Sequence, residues 1–163
     1  MRQRRSPGFT LIELLIVVAI VGIIVAIAIV NYLNAIGRAR QRRSMGDMRG
    51  IATAVEAYAA DLDRYPPSGA FTLPAGLALP TINLETTRPY LQPTYIKTIP
   101  VQDGWNSWFV YGSTASRSDY ALRTAGQGGE LQSAPAYGPT TDFRDDIILV
   151  NGSFVQWPEG VQK

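Results

Sequence analysis

Hydropathy changes character three times along the chain. From Phe9 to Val30, 22 consecutive positions are apolar apart from Thr10, Glu13 and Gly22. A bilayer's hydrocarbon core takes roughly 20 helical residues to cross, so this run predicts a membrane-spanning helix. The pattern then becomes periodic. Met45, Met48, Ile51, Ala52, Val55, Tyr58, Ala59 and Leu62 recur at steps of three and four, while Arg49, Glu56, Asp61 and Asp63 fall outside that stripe. This is the spacing of an amphipathic helix with one face for a folded head. No proline interrupts Phe9 to Leu62, which predicts one continuous helix of 54 residues, about 80 Å long at 1.5 Å per residue. Gly22, Gly37, Gly46 and Gly50 are its weak points, each costing ~1 kcal/mol relative to alanine. Tyr65-Pro66-Pro67 stops it, because proline disfavours helical geometry in the preceding residue.

Beyond the helix the pattern shortens. Ser68 to Pro100 is loop-like with small apolar pieces, and Leu91 to Pro100 predicts a helical turn laid on the head. Asp103 to Tyr111 leads into a strand, and Ser118 to Arg123 alternates as a second one. Ile147 to Trp157 is the clearest hairpin, with Asn151-Gly152 supplying the two positive-φ positions of a type I′ turn. The predicted fold class is α+β: a long N-terminal helix packed on a small antiparallel sheet. No internal repeat is visible.

Three readings compete for the apolar segment, which follows Arg2, Arg4 and Arg5. A secretory signal peptide would use Ala26-Ile27-Ala28 as its cleavage site. The run is too long for that and carries an acid near its start. A plain anchor explains the length but not Glu13, since an acid in a spanning helix costs at least ~2.5 kcal/mol and needs a partner. Thr10-x-x-Glu13 fits a capping box, which would give Glu13 a local partner. The third reading comes from Gly8-Phe9-Thr10-Leu11-Ile12-Glu13-Leu14-Leu15, which resembles the signature of type IV pilins and pseudopilins. The resemblance implies cleavage between Gly8 and Phe9 by a prepilin peptidase and N-methylation of Phe9. It further implies that Glu13 meets the N-terminal amine of a neighbouring subunit in a filament. That role is physically sound, because a buried carboxylate needs an opposite charge. It divides the chain into a leader (1–8), a transmembrane half-helix (9–30), an amphipathic half-helix (31–62) and a periplasmic head (63–163). Related pilins often carry a proline where this chain has Val30, so the helix is expected to run unbroken there.

Composition narrows the chemistry. There is no cysteine and no histidine, which excludes disulfides, zinc–thiolate sites and histidine acid–base catalysis. The formal charge of +2 misleads, because losing residues 1–8 leaves 12 basic against 13 acidic side chains. From Ile51 onward there are seven basic and eleven acidic residues, so the head is acidic. The remaining positive charge is a band of Arg38, Arg40, Arg42, Arg43 and Arg49. Beside lipid headgroups each such residue gains ~1 kcal/mol from anionic lipid. No aromatic residue interleaves the band after Tyr32, so no nucleic-acid partner is expected. Counted by the positive-inside rule, the band opposes a cytoplasmic leader, whereas processing at Gly8 requires one. The processing motif takes precedence.

The head resembles the major pseudopilin of type II secretion, the G-type subunit. The resemblance rests on Tyr65-Pro66, Tyr95-Ile96-x-x-Ile99-Pro100, Asp103-x-Trp105-Asn106 with Tyr111, Tyr120-x-Leu122, Gly126, Gly128-Gly129-Glu130 and Asp146-Ile147. It implies a structural subunit, not an enzyme, in a filament that drives protein export. Its implied partners are further copies of itself, prepilin peptidase, minor pseudopilins, and an inner-membrane platform with its ATPase. The alternative is a type IV pilin for motility, adhesion or DNA uptake, which shares the N-terminus. G-type subunits commonly hold calcium in the C-terminal loop. Here Gln127-Gly128 stands where Asp-Gly is expected, leaving Asp142, Asp145 and Asp146 as candidate hard-oxygen ligands. An exposed acidic turn is the other reading of those three. As acid–base carboxylates they lack any accompanying nucleophile. Gly126-x-Gly128-x-x-Leu131 breaks the dinucleotide pattern at its last glycine and reads as a turn.

Overall fold

The computed structural model describes residues 8–68, 80 and 82–162. Helix α1 runs Leu11–Leu62 without a break, as the absence of proline predicts. Contacts divide the chain into two units, Met1–Ile36 and Gly37–Lys163. In the first, every residue from Gly8 to Leu33 is exposed. Among the described residues α1 is the one helix long and apolar enough to cross a membrane, and none of that stretch is buried. An apolar surface of this extent marks a lipid or protein contact.

In the second unit α1 carries the core. Met48, Ile51, Ala52, Val55 and Tyr58 are buried with Leu84, Leu91, Ile99, Phe109, Tyr111, Tyr120, Leu122, Ile147 and Leu149. The buried face begins earlier than the apolar stripe, at Gln41 and Ser44, and ends at Tyr58, leaving Leu62 exposed. Small residues make this early contact possible. A Cβ on Gly37 would lie 2.9 Å from the Phe143 ring, and one on Gly104 would lie 2.5 Å from the Arg40 carbonyl oxygen. The Gly104 N–H donates to Ser44 Oγ at 2.9 Å.

The helical piece between α1 and the sheet lies upstream of its predicted place. A 3-10 turn, Leu84–Thr87, runs into the short helix α2, Arg88–Leu91, and residues 92–100 hold turns and bends but no helix. Asn83 starts it by accepting from the Glu85 N–H at 2.9 Å, and a proline stands in the first turn of α2. Both are start signals for helical structure.

The strands are β1 (Val110–Ser113), β2 (Tyr120–Thr124), β3 (Gly138–Thr140), β4 (Ile147–Val150) and β5 (Ser153–Pro158), in the order β1-β2-β4-β5-β3. Three pairs are antiparallel, but β3 lies parallel to β5, with Gly138 opposite Gln156. The sheet is therefore mixed, which corrects the expected antiparallel one. Pro139 is tolerated because β3 is an edge strand. The β4–β5 hairpin turns at Asn151 (φ 46°) and Gly152 (φ 79°), as its sequence predicts. Asn151 also accepts from the Tyr120 N–H at 2.9 Å, which ties the turn to β2. Gly152 leaves room for Glu56, whose Oε1 would meet a Cβ there at 2.5 Å.

Two buried phenols tie the sheet to α1 and to the segment that follows it. The Tyr111 hydroxyl donates to the Pro66 carbonyl at 3.0 Å, and the Tyr120 hydroxyl donates to Glu56 Oε1 at 2.9 Å. Burial pushes both phenols above the ordinary value of 10.0, and Glu56 adds to the effect on Tyr120. A raised folded pKa means that the native state keeps protons the unfolded chain gives up. The stability they contribute is full below pH 10 and falls above it, by about 1.4 kcal/mol per pH unit for each tyrosine. Denaturant midpoints should therefore drop steeply above pH 10, and a Tyr111→Phe/Tyr120→Phe double variant should lose most of that slope. An unchanged slope would place its origin elsewhere.

Candidate functional site

The N-terminal site is built on the first turn of α1. Thr10 and Glu13 form the reciprocal cap their spacing predicts. Glu13 Oε2 accepts from the Thr10 N–H at 2.9 Å and from the Thr10 hydroxyl at 2.7 Å, and the Glu13 N–H donates to Thr10 Oγ1 at 3.3 Å. This satisfies donors that a helix start otherwise leaves unpaired. Gly8 and Phe9 precede this cap, and Phe9 is 84% exposed. Among the described residues a Cβ on Gly8 would meet nothing within 4 Å. No described residue crowds that position. A requirement for it would come from outside the chain, as recognition by a peptidase would impose. Arg2, Arg4 and Arg5 lie outside the described residues.

The basic band remains available on α1. Arg40, Arg42, Arg43 and Arg49 are exposed and Arg38 half-buried. Arg43 pairs with Asp47 at 3.5 Å one turn on, and the Arg49 guanidinium sits 5.3 Å from the Phe154 ring centre. Exposed pairs of this kind contribute about 0–1 kcal/mol, so the band is a charged surface rather than a stabilising network.

In the C-terminal loop Gly126 and Gly128 are explained by crowding. Gly126 has φ 57°, and a Cβ there would lie 2.7 Å from the carbonyls of Phe143 and Asp145. One on Gly128 would lie 2.8 Å from the Arg144 carbonyl. The Gln127 N–H donates to the Phe143 carbonyl at 2.8 Å, fixing the crossing. This is the turn that the broken glycine pattern predicts.

The three carboxylates expected to hold calcium are engaged by groups of the chain itself, Asp145 and Asp146 both by Gln132. Asp142 accepts from the Arg144 N–H at 2.9 Å, and Asp145 accepts from the Gln132 side-chain amide at 2.8 Å. Asp146, fully buried, is paired with the Arg123 guanidinium. Burial pushes the Asp146 carboxyl above the ordinary carboxylate range, against the opposing pull of Arg123 and the Gln132 N–H. Among the described residues no three acidic side chains converge on a point where a metal ion could sit. These three carboxylates form no shared donor set, and they do not make an exposed turn either: Asp142 and Asp145 are half-buried and Asp146 is buried.

Two residues central to this half of the molecule escaped the sequence reading of sites. Asp103 is 1% exposed and Arg123 is 3% exposed. Asp103 gathers the Trp105 and Ser107 N–H groups at 2.8 and 2.9 Å and the Thr124 hydroxyl at 2.6 Å. Its Asp-Gly step signals a turn, but nothing in the local sequence signals its contact with β2.

Comparison with known proteins agrees with this anatomy. The family described as "Prokaryotic N-terminal methylation motif" matches residues 3–29, and that described as "Type II secretion system (T2SS), protein G" matches residues 31–136. The chain is 31% identical over 130 residues to the type II secretion system core protein G of Pseudomonas aeruginosa, covering 80% of this chain and 89% of that protein. It is 31% identical over 129 residues to that of Vibrio cholerae serotype O1, covering 79% and 86%. The type IV major pilin protein PilA of Myxococcus xanthus is 44% identical over 61 residues, which is 37% of this chain and 28% of the pilin. No solved structure matches. With a continuous helix beginning at a methylation motif and a head matched as far as residue 136, the chain belongs to the type II secretion system protein G family.

Proposed function

We propose that this chain is a structural pseudopilin subunit that assembles into a periplasmic filament driving protein export by type II secretion. One observation carries the reading: a methylation motif at residues 3–29 runs directly into a protein G region at 31–136. Cleavage after Gly8 would leave Phe9 as the methylated first residue. The mature subunit would then wait in the inner membrane, its leader side cytoplasmic and its head periplasmic. The fully exposed apolar face from Phe9 to Leu33 supports this, because such a surface needs lipid first and neighbouring helices later. Repetition of one head-to-tail contact with a non-closing rotation gives a helical fibre. Energy for assembly would come from a cytoplasmic ATPase acting through a membrane platform, as this chain carries no nucleotide motif. A type IV pilus role is less favoured, since the pilin likeness spans 37% of the chain.

The test is the intact mass of the protein isolated from its own membranes. The expected species begins at Phe9 and is one methyl group heavier than the bare chain. An uncut chain would reduce the protein to a simple anchor and remove the filament reading.

A further inference from the structure

We propose that the Arg123 guanidinium is the cation that closes the C-terminal loop of this head, so that the loop is held without a metal ion. Arg123 lies on β2 and reaches across the sheet face into the loop. Its Nε donates to Asp146 Oδ2 and its Nη2 donates to the Gln132 carbonyl oxygen. A carboxylate and a main-chain carbonyl are the two donor types a calcium ion would use in such a loop. Both are occupied by a cation that belongs to the chain.

The surrounding contacts complete a closed network. The Gln132 N–H donates to both Asp146 carboxylate oxygens, at 3.2 and 3.3 Å, and Gln132 Oε1 accepts from the Asp146 N–H at 3.2 Å. The Gln156 side-chain amide on β5 donates to Gln132 Oε1 at 3.0 Å and to the Asp146 carbonyl at 2.8 Å. Gln156 Oε1 accepts from the Tyr137 N–H at 3.1 Å, just before β3. The two direct contacts of the guanidinium, to Asp146 and Gln132, thus extend through Gln156 on β5 to Tyr137 beside β3. Arg123 and Asp146 are 3% and 0% exposed, and a buried charge is tolerated only when paired and hydrogen-bonded. Arginine stays charged at any working pH and offers five donors in a fixed fork, which suits a site with two oxygen acceptors at an angle. A bound metal stabilises by mass action and is lost to a chelator. A covalently attached cation is not.

The experiment is thermal melting of the full chain in detergent, in excess EGTA and in millimolar calcium. The melting temperature should be the same in both. Arg123→Gln, which strands the buried Asp146 carboxylate, should lower it by on the order of 10 °C. An Arg123→Met/Asp146→Leu double variant, which removes both charges, should regain part of that loss. A wild-type melting temperature that rises by several degrees in calcium would overturn the proposal. So would an Arg123→Gln variant that melts with the wild type. The chelator arm needs no variant, so it decides the matter even where Arg123→Gln fails to fold.

Discussion

Replacing Glu13 by glutamine should leave the head folded and the subunit in the membrane, yet cut its incorporation into filaments by a hundredfold or more. The substitution separates the two roles its position offers. The capping box with Thr10 uses Oε2 as an acceptor, and a glutamine at the same position serves such a box equally well. If capping were all that Glu13 does, Glu13→Gln would behave as wild type, and only Glu13→Ala would show a loss, of about 0.5–2 kcal/mol in the first turn. If the carboxylate neutralises the amine of a neighbouring subunit inside an apolar filament core, glutamine removes the charge and strands the amine. Breaking a buried pair in this way costs about 3–5 kcal/mol, hence the hundredfold or larger effect. Sheared-filament yield against total membrane subunit measures it. Equal yields for Glu13→Gln and wild type would reduce Glu13 to a helix cap.

The features legible in the sequence are those whose causes are local. Asn151-Gly152 needs two positive-φ residues and nothing else, so the hairpin is visible in two letters. The buried face of α1 shows in its three- and four-residue steps, and the Thr10–Glu13 cap in one spacing. What was not legible depends on partners far along the chain. Strand β3 consists of Gly138, Pro139 and Thr140, residues with little strand preference, and it exists because β5 offers a free edge. The acidic group Asp142, Asp145 and Asp146 reads identically as metal ligands, acidic turn or ion-pair partners. Asp146 is committed by Arg123, 23 residues earlier on a strand whose alternation suggested one exposed face. In the structure β2 is buried on both faces, with Arg123 engaged by Asp146 and Gln132 from farther along the chain.

Asp103→Ala should be the most damaging single change in the head, lowering stability by about 3–5 kcal/mol, a large share of the 5–15 kcal/mol available to a typical domain. The carboxylate is 1% exposed and holds three donors: the N–H groups of Trp105 and Ser107 through Oδ1 and the Thr124 hydroxyl through Oδ2. Truncation takes the partner from all three, the Thr124 hydroxyl fully buried and the two N–H groups in half-buried residues, at up to about 1–3 kcal/mol each before relaxation. The turn it organises also seats the head on α1, since Gly104 within it donates to Ser44 and packs against the Arg40 backbone. Losing the turn therefore loosens contacts along the helix as well as the link to β2. Asp103→Asn keeps an acceptor for the two backbone amides, and the Thr124 hydroxyl can rotate to accept from the new amide group. That variant should lose only about 1 kcal/mol. Urea denaturation of both variants beside Thr124→Val, closed as a double-mutant cycle, would assign the share of the β2 contact. A loss below about 1 kcal/mol for Asp103→Ala would mean that the turn is held by its own backbone hydrogen bonds, from Asp103 N–H to Ser107 and from Asn106 N–H to Asp103. The carboxylate would then be dispensable.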